Sequence, residues 1–186
     1  MPKIIVVTGT PGSGKTTISR KITKAIRNSV LVSANEIVER RHAYFYKDRD
    51  GSKVVNMGKL KNGLKQAIEE NKGKTVIIEG HILCDMRLKG ATAIVVREHL
   101  ATIKRRLEGR RYGILKIRDN IVSEATDYCG INSRKNYARV FEVMNGKAVV
   151  KDIIRITNGK GAKFMKDINL LDELTTVIKK DKRFAI

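Results

Sequence analysis

Eight residues near the start of the chain, Gly9-Thr10-Pro11-Gly12-Ser13-Gly14-Lys15-Thr16, have the types and spacing to grip a chain of phosphates. The pattern is G-x-x-x-x-G-K-[ST], whose glycines let successive backbone N–H groups converge on phosphate oxygens without side-chain obstruction. Lys15 can reach the outer phosphates as a point charge, and the Thr16 hydroxyl can hold Mg²⁺. Pro11, Gly12, Ser13, Gly14 and Thr17 complete the expected nucleotide contacts. Glu79 closes the apolar run Thr75-Val76-Ile77-Ile78, where an acid can meet Mg²⁺ directly or through water. His81, two residues on, could orient a water or hydroxyl near a terminal phosphate. Arg106, Arg110 and Arg111 cluster beside Gly109 and Gly113, as a hinged basic lid closing over phosphates would require. The expected catalytic set is therefore Lys15, Glu79, His81 and Arg110, with Arg106 and Arg110 on the nucleotide and Thr16 and Glu79 toward the metal. Asn35, Glu36 and Arg40 are candidates for an acceptor-side pocket.

These groups need a scaffold that brings strand ends and helix starts together. Lys3 to Thr8 reads as a buried strand leading into the loop, and an amphipathic helix opens at Lys15 with Ile18, Ile22, Ala25 and Ile26 on one stripe. Val30–Val32 is a short strand and Ala34–Arg41 a brief helix. His42 to Ser52 reads as a mobile loop around the turn Asp48-Arg49-Asp50-Gly51. Met57, Leu60, Leu64, Ala67 and Ile68 mark the next helix, and Thr75–Glu79 the third strand. Ala91–Val96 is a further strand closing with Arg97, followed by a helix through Leu100, Ile103 and Leu107. Ile114, Ile117, Ile121, Ala125 and Tyr128 share one helical spacing. Val140–Met144 is a fifth strand, with a helix over Val149–Ile154. Strands alternating with helices imply a parallel sheet wrapped on both faces, with ligand at the carboxyl ends of the strands. From Asn158 the composition reads as a linker, then a terminal helix over Phe164–Lys180.

Composition narrows the class. A chain of 186 residues with 41% hydrophobic content suits one domain of ordinary size. Its apolar runs are short for a membrane span, and its first residues pattern as a buried strand rather than a signal peptide. Cys84 and Cys129 lack metal-ligand spacing and fit a reducing, cytoplasmic setting as small buried hydrophobes. The formal net charge of +20 points to a polyanionic neighbour such as RNA. With aromatics at 5%, base stacking is a poor mode and backbone phosphate contact the better one. No Asn-Lys-x-Asp run marks a guanine-specific GTPase.

The loop Gly9–Thr17, the run Val76-Ile77-Ile78-Glu79-Gly80-His81, the strand Ala93–Arg97 and the segment Arg106–Tyr112 together resemble a P-loop nucleoside monophosphate kinase. Within that group the acid-x-His strand ending and the short arginine-bearing lid resemble the adenylate kinase isoenzyme 6 family, the small-subunit ribosome assembly ATPases. The resemblance covers roughly Pro2 to Ile156. It implies a three-layer α/β fold around a five-stranded parallel sheet, in a domain over 1–157. A monophosphate-binding arm would span about 34–68 and a short lid about 108–118, with 158–186 as a basic helical extension. It also implies ATP with Mg²⁺ as donor, AMP as acceptor, an ATPase activity, and a small-subunit ribosomal protein and pre-rRNA as partners. The family commonly carries Asp where this chain has Glu79. Two activities compete on these residues: phosphoryl transfer to a nucleoside monophosphate, and a non-kinase ATPase switch in an assembly factor that binds ribosomal protein or RNA. The loop serves both; a kinase additionally needs a second nucleotide pocket and a lid that keeps water out.

Overall fold

Alternation along the first strand sets the architecture. In the computed structural model, which describes residues 3–48, 51–164, 168–181 and 183, strand β1 (Ile4–Thr8) sits at the centre of the sheet. Its Val6 faces one layer, with Val76, Ile78 and Ala93 beside it, while Ile5 and Val7 face the other with Ile77 and Ile94. Five parallel strands lie in the order β2-β5-β1-β6-β7, where β2 is Ser29–Ser33, β5 Thr75–Glu79, β6 Thr92–Arg97 and β7 Arg139–Met144. Strands apolar on both faces must be covered twice. On one side, α2 (Ala34–Arg40) and α3 (Met57–Glu70) bring Ala34, Val38, Leu60 and Leu64. On the other, α1 (Lys15–Ala25) and α7 (Val149–Thr157) bring Ile18, Ile22, Val149 and Ile153.

A third apolar cluster lies beyond the sheet. Helices α4 (Leu100–Gly109) and α5 (Ile114–Ala125) bury Leu100, Ile103, Leu107, Ile117 and Ile121 against Leu170 and Val177. The last two come from the C-terminal segment, whose helix α8 spans Leu171–Lys180. Its start at Leu171 corrects the expected helix from Phe164: Ala162–Phe164 form a 3₁₀ turn, and Met165, Lys166 and Asp167 lie outside the described residues. Glu173 fastens α8 at its first turn, accepting from the Leu100 N–H at 2.9 Å and meeting His99 Nδ1 at 2.6 Å.

Two other readings change. The segment after His42 is not a bare loop but a two-stranded antiparallel hairpin, β3 (Tyr44–Lys47) with β4 (Lys53–Val55). The aromatic and β-branched residues Tyr44, Phe45, Tyr46, Val54 and Val55 favour extended backbone more than the surrounding charges favour disorder. Of the expected turn, Arg49 and Asp50 lie outside the described residues. The helix from Ile114 stops at Thr126, because Asp127 takes a left-handed backbone (φ 55°) and starts α6 (Tyr128–Asn136). Its carboxylate accepts from the Gly130 N–H at 3.2 Å, a local bond that competes with continuing the helix.

Arg97, read from sequence only as the end of a strand, is fully buried and ties four elements together. Its guanidinium donates to Glu124 Oε1 (3.1 Å), Asp127 Oδ1 (2.6 Å), Glu142 Oε2 (2.7 Å) and the carbonyls of Glu124 (2.7 Å) and Ile168 (3.1 Å). Removing the cation leaves the buried Glu124 without its ion pair and Asp127 and Glu142 with Arg134 alone, a loss of about 3–5 kcal/mol. Arg97→Leu is therefore expected to lower the free energy of unfolding by about that amount, read as a shift of the urea midpoint at unchanged slope.

Candidate phosphate-binding site

The site is assembled from the carboxyl ends of all five parallel strands. Gly9 follows β1 and opens the loop with φ 144°, where a Cβ would stand 2.4 Å from the Val96 carbonyl oxygen. Gly14 caps α1 at φ 93°. There a Cβ would strike Asn145 Nδ2 at 2.5 Å, so the loop can lie this close to its neighbour only as glycine. The loop then hands its free N–H groups to the first turn of α1, whose dipole is positive at that end. Thr10 and Ser13 place buried hydroxyls in the loop with no partner among the described residues.

Glu79 is the centre of a cluster of oxygen side chains beside the loop. Parallel pairing sets Ser33 of β2 and Val7 of β1 in register with it. The Ser33 hydroxyl donates to Glu79 Oε1 at 2.9 Å, and Thr16 donates to Oε2 at 3.0 Å. Both carboxylate oxygens are thus aimed, and the side chain is buried to 4% exposure. Ser33 also caps α2, accepting from the Glu36 N–H at 3.5 Å.

A second carboxylate braces the outer wall of the loop. Glu98, first after β6, accepts at Oε2 from Arg106 Nη1 and from Asn145 Nδ2, each at 2.9 Å. Those donors also bind the loop itself, Arg106 to the Gly12 carbonyl (2.7 Å) and Asn145 to that of Ser13 (2.9 Å). The loop's carbonyls are thereby held outward, which keeps its N–H groups turned inward. Beside them lies a cavity of about 420 Å³ with Lys21, Arg106, Arg110 and Lys147 for charge and Ile18 and Val149 for an apolar wall.

With this geometry in view, similarity to known proteins is decisive. A protein named "Putative adenylate kinase" from Methanocaldococcus jannaschii is 34% identical over 151 residues, spanning 81% of each chain. A family model described as an AAA domain matches residues 5–127. This chain belongs to the adenylate kinase family represented by that relative. Two solved structures share its fold at 14% identity: TT1252 from Thermus thermophilus (TM-score 0.60, 86% of this chain and 98% of that one) and shikimate kinase from Bacteroides thetaiotaomicron (TM-score 0.53, 84% and 96%).

Within this kinase fold the anticipated residues fall into three groups. Lys15, Thr16, Glu79, Arg106 and Arg110 converge on the loop. Lys15 is half-buried with Nζ 3.4 Å from the Thr10 carbonyl. Burial of its ammonium, with the Arg110 guanidinium nearby, pulls its pKa below the ordinary 10.5, while Glu79 and Cys129 oppose the shift. A cation so placed gains most when an anion arrives. Arg110 caps α4 and has no ion pair among the described residues. The expected glycine hinge is not what turns the chain here: Gly109 is helical, Gly113 is extended, and Arg111 adopts the left-handed backbone at φ 58°. Glu36 and Arg40 form an exposed pair with each other, beside Val30, Leu31 and Asn71 at the β2 edge of the sheet. Asn35 is exposed one position into α2. The hairpin and the first turn of α5 meet, since Lys116 donates to Ser52 Oγ at 2.6 Å.

His81 performs a bracing role. It opens the 3₁₀ turn His81–Asp85, with Nδ1 3.1 Å from the Gly9 carbonyl. A carbonyl only accepts, so Nδ1 carries the proton in a neutral ring. Burial, followed by the charge of Lys15, lowers the pKa of His81 below 6.5. The unfolded chain then takes a proton near pH 6.5 that the folded chain refuses, so this contribution to stability is complete above that pH and lost below it. We expect the urea midpoint of the protein to fall as pH drops below about 6.5, and His81→Gln to flatten that fall. His99 works oppositely: the exposed ring is held by Glu173, its pKa is raised, and its stabilisation fades as pH rises above the ordinary histidine value.

Ser33, Glu98 and Asn145 were missed by motif reading. Each stands at the carboxyl end of a strand, and that position alone was the available signal.

Proposed function

We propose that this protein transfers the γ-phosphoryl group of ATP to a nucleoside monophosphate, AMP by preference, and hydrolyses ATP slowly when no acceptor is bound. The observation that carries this reading is Glu79 clamped between Thr16 and Ser33 at the mouth of a glycine loop that also holds Lys15. Thr16 Oγ1 and Glu79 Oε2, hard oxygen donors 3.0 Å apart, suit Mg²⁺. When bound, that ion neutralises charge on the β- and γ-phosphates. The loop N–H groups and Lys15 bind the triphosphate, and Arg110, without an acidic partner among the described residues, serves the transferring group. Arg106 holds the loop through Gly12 and Glu98. Ser33 fixes the rotamer of Glu79. The hairpin and lid, joined through Lys116 and Ser52, flank the acceptor side and exclude water.

An assay coupled to ADP formation should show turnover with ATP plus AMP that exceeds ATP alone. Lys15→Ala should reduce both activities by about 100- to 1000-fold. Ser33→Ala, which leaves the loop intact, should weaken the Mg²⁺ requirement's half-point by about 10- to 100-fold. Phosphate release without any ADP from AMP would leave an ATPase and remove the kinase.

A second reading rests on a separate observation. At the amino ends of the strands, away from the loop, Lys61, Lys65, Arg87 and Lys89 ring an open cavity of about 650 Å³ floored by Ile4 and Leu88. Together with the net charge of +20, this face suits a phosphate backbone, as an ATPase acting on a ribosomal protein and pre-rRNA during small-subunit maturation would need. Affinity for an rRNA fragment should then fall steeply with salt, and Lys61→Glu with Lys65→Glu should reduce the steepness. Equal, weak binding by both proteins at low salt would remove this reading.

A further inference from the structure

The structure brings together three side chains that the sequence keeps far apart. His81 and Cys84 stand three residues apart on the 3₁₀ turn, a helix type in which positions i and i+3 lie one above the other. Cys129, in the first turn of α6, packs against them from outside the sheet. Their ligand atoms all lie within 4.8 Å of one another, and Cys129 Sγ is 3.6 Å from His81 Nδ1. With Zn–S near 2.3 Å and Zn–N near 2.1 Å, a tetrahedral ion would set sulfur and nitrogen about 3.6 Å apart. Both cysteines are buried and neither is in a disulfide.

The frame around this cluster is fixed on both sides. Asn136 Nδ2 donates to the Cys84 carbonyl at 2.9 Å, the Tyr137 hydroxyl to that of Leu83 at 2.7 Å, and the Tyr128 hydroxyl to Asp85 Oδ1 at 3.1 Å. These bonds lock α6 to the 3₁₀ turn, so the three ligands are held in place before any ion arrives. The Gly9 carbonyl, 3.1 Å from His81 Nδ1, puts an oxygen donor at hand for a fourth position.

We propose that His81, Cys84 and Cys129 form a site for one thiophilic divalent cation, of which Zn²⁺ is the natural case, directly beneath the phosphate-binding loop. Two thiolates and an imidazole select zinc over the hard Mg²⁺ of the oxygen cluster at Glu79. On loading, two Zn–S bonds and one Zn–N bond form. Both thiol protons leave to solvent, and the imidazole proton moves from Nδ1 to Nε2. The ion's two charges are matched by two thiolates, so Lys15, which senses Cys129 electrostatically, is not repelled. Loading also takes Nδ1 away from its bond to Gly9, linking the ion to the base of the loop.

The test uses the intact, phosphine-reduced protein stripped of metal and titrated with Co²⁺ and then Zn²⁺. The expected result is one ion per chain, a near-ultraviolet thiolate-to-cobalt charge-transfer band that Zn²⁺ abolishes, and about two protons released per ion. Cys84→Ser and Cys129→Ser should each weaken Zn²⁺ binding at least 100-fold, with circular dichroism confirming that they fold. Should either variant fail to fold, band intensity in the unaltered protein still counts the thiolates. Absence of the band in folded, reduced protein would overturn the proposal. So would its persistence in the double variant, or binding no tighter than that of Mg²⁺.

Discussion

One carboxylate orders the whole active face. Glu79 can accept from Thr16 and Ser33 at once only because β5 lies between β1 and β2 in parallel, with Ser33 and Val7 in register with it. A slip of one residue would turn Glu79 into the apolar layer and Ile78 toward the loop. The cost of that error is two-sided, since both faces of the sheet are packed, and this is what makes the register secure. The glycine loop then inherits its position from β1, and the Glu79 carboxylate inherits its own from β5. Placement of the chemistry is thus a property of the hydrophobic core.

The distribution of acids follows the same logic. The chain has 39 basic and 19 acidic side chains, yet Glu79, Glu98, Glu124 and Glu142 are all buried at or near the strands' carboxyl ends. A buried carboxylate survives only when its lone pairs are occupied. Each of these four is: by hydroxyls at Glu79, by Arg106 and Asn145 at Glu98, and by Arg97 at Glu124 and Glu142. Acids that could offset the surface lysines are drawn inward to hold the site. The outer surface is correspondingly basic.

What could be read from the sequence was whatever depends on near neighbours. The G-x-x-x-x-G-K-[ST] loop, the acid ending β5 and the strand–helix alternation are all written within short windows, and the five-stranded parallel sheet followed from them. Ser33 was invisible because its importance lies in pairing with a residue 46 positions away. Arg97 reads only as the end of a strand, since nothing local reveals that α5, Asp127 and β7 supply its acids and the C-terminal segment a carbonyl. The stretch His42–Ser52, which holds the first strand of the hairpin, reads as a loop because its charges outweigh its alternation in a short window. Arg111, not a glycine, takes the turn between α4 and α5; composition suggests the opposite.

The C-terminal segment belongs to this chain of dependence more closely than its linker-like sequence suggests. The Ile168 carbonyl accepts from Arg97 and its N–H donates to Glu142, so the segment completes a network that would otherwise leave charge unsatisfied. Arg97 is followed directly by Glu98, whose N–H is held by Glu124, the same carboxylate that holds Arg97. Glu98 in turn positions Arg106 and Asn145 on the carbonyls of Gly12 and Ser13. From Ile168 to the phosphate loop there is thus a continuous run of hydrogen bonds, buried and charge-assisted at Arg97 and Glu124 and part-buried where Arg106 and Asn145 reach the loop. Such links tolerate little stretching, because each end that parts leaves a buried ion exposed to a low dielectric. A displacement of the C-terminal segment therefore cannot stay local: it must either break the Arg97 network outright or be passed to Glu98 and the loop it braces.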